Sequence, residues 1–454
     1  MEPKENTIVA SATPPGKGAL AVIRLSGSRA NTIVAEIIKE KEKFKRTEER
    51  KIALYTVIDK NGGIIDEVIA VKYISPVSFT GEDMVEITCH GSSLITKTII
   101  EQTYRYGAQA ASPGEFTRRA FDNKKIDLMK AEAIQALIDS TTSLQYETAK
   151  RAYTGKSREK IEEYKSEIIE ILSQIEAVIE FGEEDDIHDS NTEITSILDN
   201  LKRRLAEEYS RATRIKQFEN GLSVLLAGPV NAGKSSLFNK ILGYERSIVH
   251  NSAGTTRDSV SESVNINGQK IRITDSAGLR ETENEIENMG IEITRKEIKE
   301  AHLVIWVTSA EEPFENQELN MIENLGKNCV SVINKIENGD KYKKRDQLEK
   351  MGVEYITLSV KENINTDGMI KKIQHSINEI INNVQLPDII SNERHQKIVE
   401  RIIENLSLAK ENICREEIAA FYVRKNLETI EEICGYTTSE EVLNNIFSNF
   451  CIGK

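Results

Sequence analysis

The sequence predicts a multidomain protein that combines α/β and all-α folds: an N-terminal α+β domain, a helical domain in two separated pieces, and an α/β domain with a mostly parallel sheet inserted between those pieces. Three changes of texture carry this reading. The first 120 or so residues alternate apolar and polar positions in short runs. The stretch after Asp127 repeats apolar residues every three or four positions, and residues 220–384 alternate β-rich runs with charged helical ones. At 454 residues the chain also exceeds what one hydrophobic core ordinarily serves.

In chain order, TIVASAT, ALAVIRL and VEITCH are separated by PPGKG, NGG and SPVSFTG, which predicts strands joined by turns up to about residue 120. From Asp127 the period changes. Leu128, Ala131, Gln135 and Ile138 share one helical face, and Ile161, Tyr164, Ile168, Ile171, Ile175 and Val178 recur at helical spacing. FGEEDDIHD interrupts the pattern and reads as a helix-breaking solvated loop, after which ITSILDNLKRRLAEEYSRATRI resumes the helix to about Lys216. LSVLLAG, KIRITDSAG, HLVIWVTSA, CVSVIN and EYITLS then alternate with charged helical segments, the signature of a parallel sheet with crossover helices. Beyond Pro387, Ile398, Ile402, Leu406, Ala409 and Ile413 restore the helical period. The expected boundaries are 1–120 for the N-terminal domain, 121–219 with 385–454 for the helical domain, and 220–384 for the insert.

Composition narrows the function. With 39% hydrophobic and 29% charged residues the chain is ordinary for a globular protein, and neither disorder nor a fibre is expected. There is no run of 18 apolar residues, and MEPKENTIVA lacks the basic start and apolar core of a signal peptide, so membrane spanning and secretion are disfavoured and a cytoplasmic protein is expected. Cysteines 89, 329, 414, 434 and 451 form no C-x-x-C pair, which suits reduced thiols better than zinc or disulfides. A net charge of −13 opposes wholesale coating by nucleic acid while leaving room for a local basic face.

The strongest chemical signal is GPVNAGKSS, residues 228–236, between the apolar LSVLLAG and the helical LFNKIL. It matches G-x-x-x-x-G-K-[ST] in a strand–loop–helix context. Gly228 and Gly233 permit a tight turn whose backbone N–H groups face phosphates, a cradle extending over Asn231, Ala232 and Ser236. Lys234 adds a point charge at the β/γ oxygens, and Ser235 offers a hydroxyl to Mg²⁺. GTTRD then supplies Thr256, behind Gly254 and Thr255, as a second Mg²⁺ ligand. DSAGL supplies Asp275 for the metal's water shell, followed by Ser276, Ala277 and the amide of Gly278 for sensing the γ-phosphate. Together these predict a switch-type P-loop GTPase with a Ras-like α/β fold.

Guanine is expected because Asn334, Lys335 and Glu337 form NKIE after a predicted strand, where GTPases carry Asn-Lys-x-Asp. Ser359, Val360 and Lys361 stand where the loop facing guanine O6 lies. The extra methylene of Glu337 keeps the charge but shifts the oxygens. A loop that merely leads a helix is the plain alternative for NKIE.

The chain as a whole resembles the MnmE family of tRNA modification GTPases, also called TrmE. The likeness lies in TIVASATPPGKGALAVIRLSG, SFTGEDMVEITCHG, SPGEFTRRAFDNKKIDLMKAEAIQALID and CIGK as well as in the GTPase motifs. It implies an N-terminal domain that binds folate and dimerises, a helical domain in two segments, and an inserted G domain. It further implies that, with the flavoprotein MnmG, the protein installs an aminomethyl-type group on C5 of the wobble uridine of certain tRNAs. A 5-formyl-tetrahydrofolate or related folate would be the one-carbon donor, and GTP the hydrolysed substrate.

Residue by residue, the resemblance assigns K⁺ to Asn231 and to the carbonyls of His250, Ser252 and Thr255, within a loop from Arg246 to Thr255 that includes Asn251 and Ala253. A monovalent cation there takes the part an arginine finger plays elsewhere. Arg257 and Arg280 are the rival candidates. The residue after D-x-x-G is Leu279, which cannot orient water. Five glutamates lie between Glu281 and Glu292 and are equivalent by sequence alone; the resemblance selects Glu287 as the catalytic one. It assigns folate contacts to Arg24, Glu86, Lys125 and Lys454, and places Cys451 near the folate as a second catalytic candidate. A partly buried thiol is the plain reading of Cys451, since Gly453 and Lys454 do not suit a prenylation box.

A competing reading from another class is a non-catalytic GTP switch acting on ribosome or RNA factors. Such a switch needs no Arg24, Glu86, Lys125 and Cys451 constellation.

Overall fold

The computed structural model describes residues 6–181, 184–219, 221–246, 261–266, 269–275, 297–298 and 300–453. They divide into two compact units: residues 1–138, 150–202 and 393–454, and residues 139–149 and 203–392.

The first unit opens on a six-stranded sheet. Its strands are β1 (Ile8–Ser11), β2 (Leu20–Ser26), β3 (Ala53–Ile58), β4 (Ile64–Tyr73), β5 (Met84–His90) and β6 (Gln109–Ala110), in the order β3-β4-β5-β2-β1-β6. All neighbours are antiparallel except β1 and β6. β4 alternates buried and exposed positions, as a sheet with one covered face requires. Ile23, Leu25, Val57 and Ile87 of that face pack against Ile33, Val34, Ile37 and Ile99.

Those last four residues belong to helices that the alternating texture concealed. α1 (Ala30–Ile37), α2 (Lys41–Arg46), α3 (Ser93–Arg105) and α4 (Glu115–Asp122) stand among the strands. ANTIVAEI is rich in β-branched residues and reads locally as a strand, yet tertiary burial of Ala30, Ile33, Val34 and Ile37 imposes the helical period.

The helices follow: α5 (Leu128–Asp139), α6 (Ser143–Tyr153), α7 (Lys156–Phe181) and α8 (Glu184–Glu219). The face expected of α7 is observed, with Ile161, Tyr164, Ile168, Ile171 and Ile175 buried. In α5 the expected face is interrupted at its end, where Ile138 is exposed while Ala133 is buried instead. The acidic run expected as a loop is helical from Glu184 onward.

The second unit contains β7 (Leu222–Ala227), α9 (Lys234–Arg246), β8 (Ser261–Ile266), β9 (Gln269–Asp275), β10 (Leu303–Ser309), α10 (Asn316–Leu325), β11 (Cys329–Asn334), α11 (Lys344–Lys350), β12 (Tyr355–Thr357) and α12 (Thr366–Asn382). The strand order is β12-β11-β10-β7-β9-β8, parallel throughout except for β8 against β9. β10 and β11 are buried along their whole length, which explains their uninterrupted apolar sequence. Leu222, Val224 and Leu226 face one core with Ile373 and Ile377, while Leu225 and Ala227 face another with Ile322 and Leu348.

Helices α13 (Glu393–Glu411), α14 (Glu416–Cys434) and α15 (Glu440–Ser448) complete the first unit. Ile398, Ile402, Leu406 and Ala409 are buried as expected. Among the described residues no helix is long and apolar enough to cross a membrane.

Candidate functional site

The parallel strands bring the nucleotide motifs to one edge. Ala227, Asp275, Ser309 and Asn334 all end strands of this sheet, and carboxyl ends of parallel strands are where open α/β sheets bind ligands. Gly228 leaves β7 at φ 134°, and a Cβ there would lie 2.0 Å from the Val307 carbonyl oxygen. Only glycine lets the loop pass β10 so closely. Asn231 sits at φ 61°, and at Gly233, with φ 94°, a Cβ would lie 2.3 Å from Asn334 Nδ2.

Helix α9 starts at Lys234, so its free N–H groups and positive dipole end face the loop, a setting suited to phosphate. Lys234 folds back, its Nζ donating to the carbonyls of Gly228 at 3.0 Å and Pro229 at 2.7 Å. Ser235 Oγ donates to Asp275 Oδ2 at 2.7 Å. A hydroxyl and a carboxylate held together are hard oxygen donors of the kind Mg²⁺ prefers. Ala232 is buried and Ser236 exposed.

Asn334 joins this loop to the two segments expected to recognise the base. Its Nδ2 donates to the Ala232 carbonyl at 2.9 Å, and its Oδ1 accepts from the Val360 amide at 3.2 Å. Lys335 turns into the left-handed region at φ 64°, with Nζ 3.7 Å from Glu311 Oε2. Glu337 is exposed, and a hydrogen bond from the Ser359 side chain holds its carboxyl below the usual carboxylate range. Ser359 is itself buried, with its Oγ accepting from the Glu362 amide at 3.1 Å, and Lys361 extends into solvent. Residues 228–236, 334–337 and 359–361 are thus one connected surface.

In the first unit, Arg24 on β2 and Glu86 on β5 are register partners. Arg24 Nε donates to Glu86 Oε1 at 2.9 Å, and Nη1 reaches the Gly453 carbonyl at 3.4 Å. The guanidinium lies 5.6 Å from the Phe79 ring centre and 5.9 Å from that of Phe116. Tyr73 donates its hydroxyl to Glu86 Oε2 at 3.4 Å, and burial together with the Glu86 charge pushes its pKa up. A Cβ on Gly453, at φ 94°, would lie 2.0 Å from the Ser11 carbonyl oxygen, so the 451–453 segment lies tightly against β1. Lys125 Nζ donates to the Pro76 carbonyl at 2.9 Å and so meets the same loop that carries Phe79. Cys451 is exposed, which corrects the expectation of a partly buried thiol; its carbonyl accepts from the Gly114 amide at 3.4 Å.

His250, Asn251, Ser252, Ala253, Gly254, Thr255, Thr256, Ser276, Ala277, Gly278, Glu287 and Lys454 lie outside the described residues, as do the rivals Arg257 and Arg280. Sequence reasoning missed the aromatic wall of Tyr73, Phe79 and Phe116. It also missed Arg119, 2% exposed and paired with Glu82 at 2.9 Å and Glu115 at 2.8 Å. The i,i+4 spacing of Glu115 and Arg119 is the one signal that pointed to it. Among the described residues no group of three or more His, Cys, Asp or Glu side chains is arranged to hold a metal ion.

Strand order and the lysine-bearing loop at the carboxyl edge of the sheet make the second unit a P-loop GTPase domain. Residues 7–125 match the family model described as the GTP-binding protein TrmE N-terminus, and residues 128–451 match that of the MnmE helical domain. The chain belongs to the MnmE family of tRNA modification GTPases. It is 37% identical over 455 residues to the tRNA modification GTPase MnmE of Fervidobacterium nodosum, covering 99% of this chain and 98% of that one. It is 35% identical to the protein of that name from Thermotoga maritima, covering 99% and 100%. The G domain of the T. maritima FeoB iron transporter aligns with 35% of this chain and 98% of that one, at 22% identity and TM-score 0.26.

Proposed function

We propose that the protein hydrolyses GTP to drive modification of C5 of the tRNA wobble uridine, acting in the cytoplasm as a homodimer with a flavoprotein partner of the MnmG type and a folate one-carbon donor. Its working parts are an N-terminal folate and dimerisation domain (1–120), a helical domain (121–219 and 385–454) and a G domain (220–384). The observation that carries the modification reading, over that of a bare GTP switch, is the paired Arg24 and Glu86 walled by Phe79 and Phe116 and touching Gly453. A cation, a carboxylate and flat apolar faces are what a folate, with its carboxylates and its pterin N–H groups, calls for.

In the G domain, the Gly228 to Ser236 backbone cradles the phosphates, Lys234 neutralises them, and Asn334 with Glu337 and Ser359 to Lys361 reads the guanine edge. Ser235 and Thr256 would hold Mg²⁺, with Asp275 in its outer shell; Asn231 and the carbonyls of His250, Ser252 and Thr255 would hold K⁺. These cations supply positive charge opposite the phosphate oxygens. Glu287 orients the attacking water, and Arg24, Glu86, Lys125 and Lys454 hold the folate beside Cys451.

The test pairs two measurements on the full chain. GTP turnover is compared in K⁺ and Na⁺ for the wild type, Asn231→Ala and Glu287→Ala, and wobble nucleosides are analysed by mass in cells carrying Arg24→Ala or Cys451→Ser. Expected are loss of K⁺ stimulation in Asn231→Ala and turnover reduced by roughly 10²-fold in Glu287→Ala. The Arg24 and Cys451 variants should lose modification while retaining turnover. Full modification in both would leave the switch reading standing.

A further inference from the structure

Within the first unit a cleft of about 760 Å³ opens between the end of α4, the start of α5, the turn between α6 and α7, and the segment joining α14 to α15. Five basic side chains line it against three acidic ones, in a chain whose net charge is −13. The acidic groups are engaged: Asp127 takes Arg158 Nη1 at 2.7 Å, while Asp122 and Glu440 share Arg118 at 2.8 and 2.9 Å. Lys124, Lys125 and Lys130 face no carboxylate within ion-pair distance among the described residues. Lys125 donates to a carbonyl, and the ammonium of Lys130 lies 5.1 Å from the centre of the Tyr153 ring. Lys124 is exposed and held at φ 58°, in the left-handed region that glycine or asparagine adopts more cheaply.

Two exposed tyrosine rings, with the half-buried Phe121, complete the cleft. Tyr153 is 43% exposed and Tyr436 60% exposed, and the Tyr436 hydroxyl is fixed by Arg158 Nη2 at 2.7 Å. Lysines without carboxylate partners beside exposed rings, one of them anchored through its hydroxyl, match the pattern by which proteins hold single-stranded nucleic acid, phosphates on the cations and bases on the rings. A small acid would use the lysines but leave both rings idle.

We propose that this cleft binds a short single-stranded segment of RNA, its phosphates at Lys124 and Lys130 and a base stacked on Tyr436. The inference rests on the reading above that tRNA is the substrate, and it names a surface in the first unit, outside the G domain, that grips it.

The test is fluorescence anisotropy of a fluorescein-labelled tRNA anticodon stem-loop with the full-length protein across a salt series. K124E/K130E should weaken binding at least 10-fold and reduce the slope of log affinity against log salt by about 1–2. K124R/K130R should bind like the wild type. Tyr436→Ala should weaken binding with little change in slope, and Tyr436→Phe, which keeps the ring and loses the hydroxyl, should retain it. GTP turnover and the thermal unfolding of the first unit should both be unchanged in all four, which separates lost binding from lost folding. Wild-type affinity in K124E/K130E would overturn the cleft assignment while leaving tRNA as substrate. Failure of the wild-type protein to bind the stem-loop at any salt would overturn both.

Discussion

Asn334, the last residue of β11, donates from Nδ2 to the carbonyl of Ala232 at 2.9 Å, so the segment proposed to read the base is fastened to the loop proposed to hold the phosphates. Asn334→Ala should therefore impair both functions together. It strips a partner from the Ala232 carbonyl and the Val360 amide, a loss of about 1–3 kcal/mol, or roughly 5- to 150-fold in GTP affinity. Titration with a fluorescent GTP analogue measures it. Unchanged affinity would mean the two loops hold their positions independently.

Gly228→Ala and Gly339→Ala separate crowding from backbone strain. Both glycines have positive φ, but a Cβ at 228 meets the Val307 carbonyl oxygen at 2.0 Å, whereas at 339 nothing lies within 4 Å. Gly339→Ala should cost about 1–2 kcal/mol and Gly228→Ala about 3 kcal/mol or more. Thermal unfolding of the two variants side by side checks the order; equal losses would remove the clash as an explanation.

Glu337 should discriminate guanine as an ionised group, since the Ser359 hydrogen bond holds its carboxyl below the usual range. Glu337→Ala should narrow the preference for GTP over ATP, Glu337→Asp should keep it, and the wild-type preference should be flat between about pH 6 and 8. A competition assay reads all three, and equal affinity of the wild type for both nucleotides would refute the assignment.

Acid should unfold the first unit through Glu132. Burial alone would raise the pKa of this carboxyl, but His395 and Arg394 more than offset it and bring it to about 2. Arg394 donates to both Glu132 oxygens at 2.8 and 2.7 Å. A depressed carboxyl stabilises the fold above its unfolded value of 4.5, and that contribution disappears as pH falls from there toward 2, about 3 kcal/mol in all. Burial also lowers the pKa of His395, so the unfolded chain takes up this proton first and stability begins to fall from about pH 6.5. Melting temperature should decline from pH 7 to pH 4, and Glu132→Gln should be less stable at pH 7 with a flatter acid limb. A Glu132→Gln profile parallel to the wild type would place the acid sensitivity elsewhere.

The nucleotide loop was legible because its chemistry is contiguous: Gly228 to Ser236 lies in one strand–loop–helix, and each residue type follows from what a phosphate needs. The helical periods of α7 and α13 were legible for the same reason, since period is a local property. What was hidden depends on pairing. Nothing in the vicinity of Arg24 announces Glu86, 62 positions on, until β2 and β5 align them. The N-terminal domain was expected to be α+β, but the positions of its helices escaped because β-branched residues such as Ile33 and Val34 favour strands locally while burial selects the helix. The exposure of Cys451 was not legible either: sequence leaves a partly buried thiol as its plain alternative, whereas the backbone there is anchored at Gly114 and the side chain is exposed.

The contact between Arg24 and the Gly453 carbonyl joins residues 429 positions apart. During synthesis at about 5–20 residues per second, roughly 20 to 90 s separate the two. Once Glu86 has been made, 62 residues after Arg24, the nascent sheet can pair the two but has no contact at Gly453. A ribosome-bound chain stalled before that residue should hold Arg24 on Glu86 without its second partner, so the Arg24–Gly453 contact reports that translation has passed Gly453.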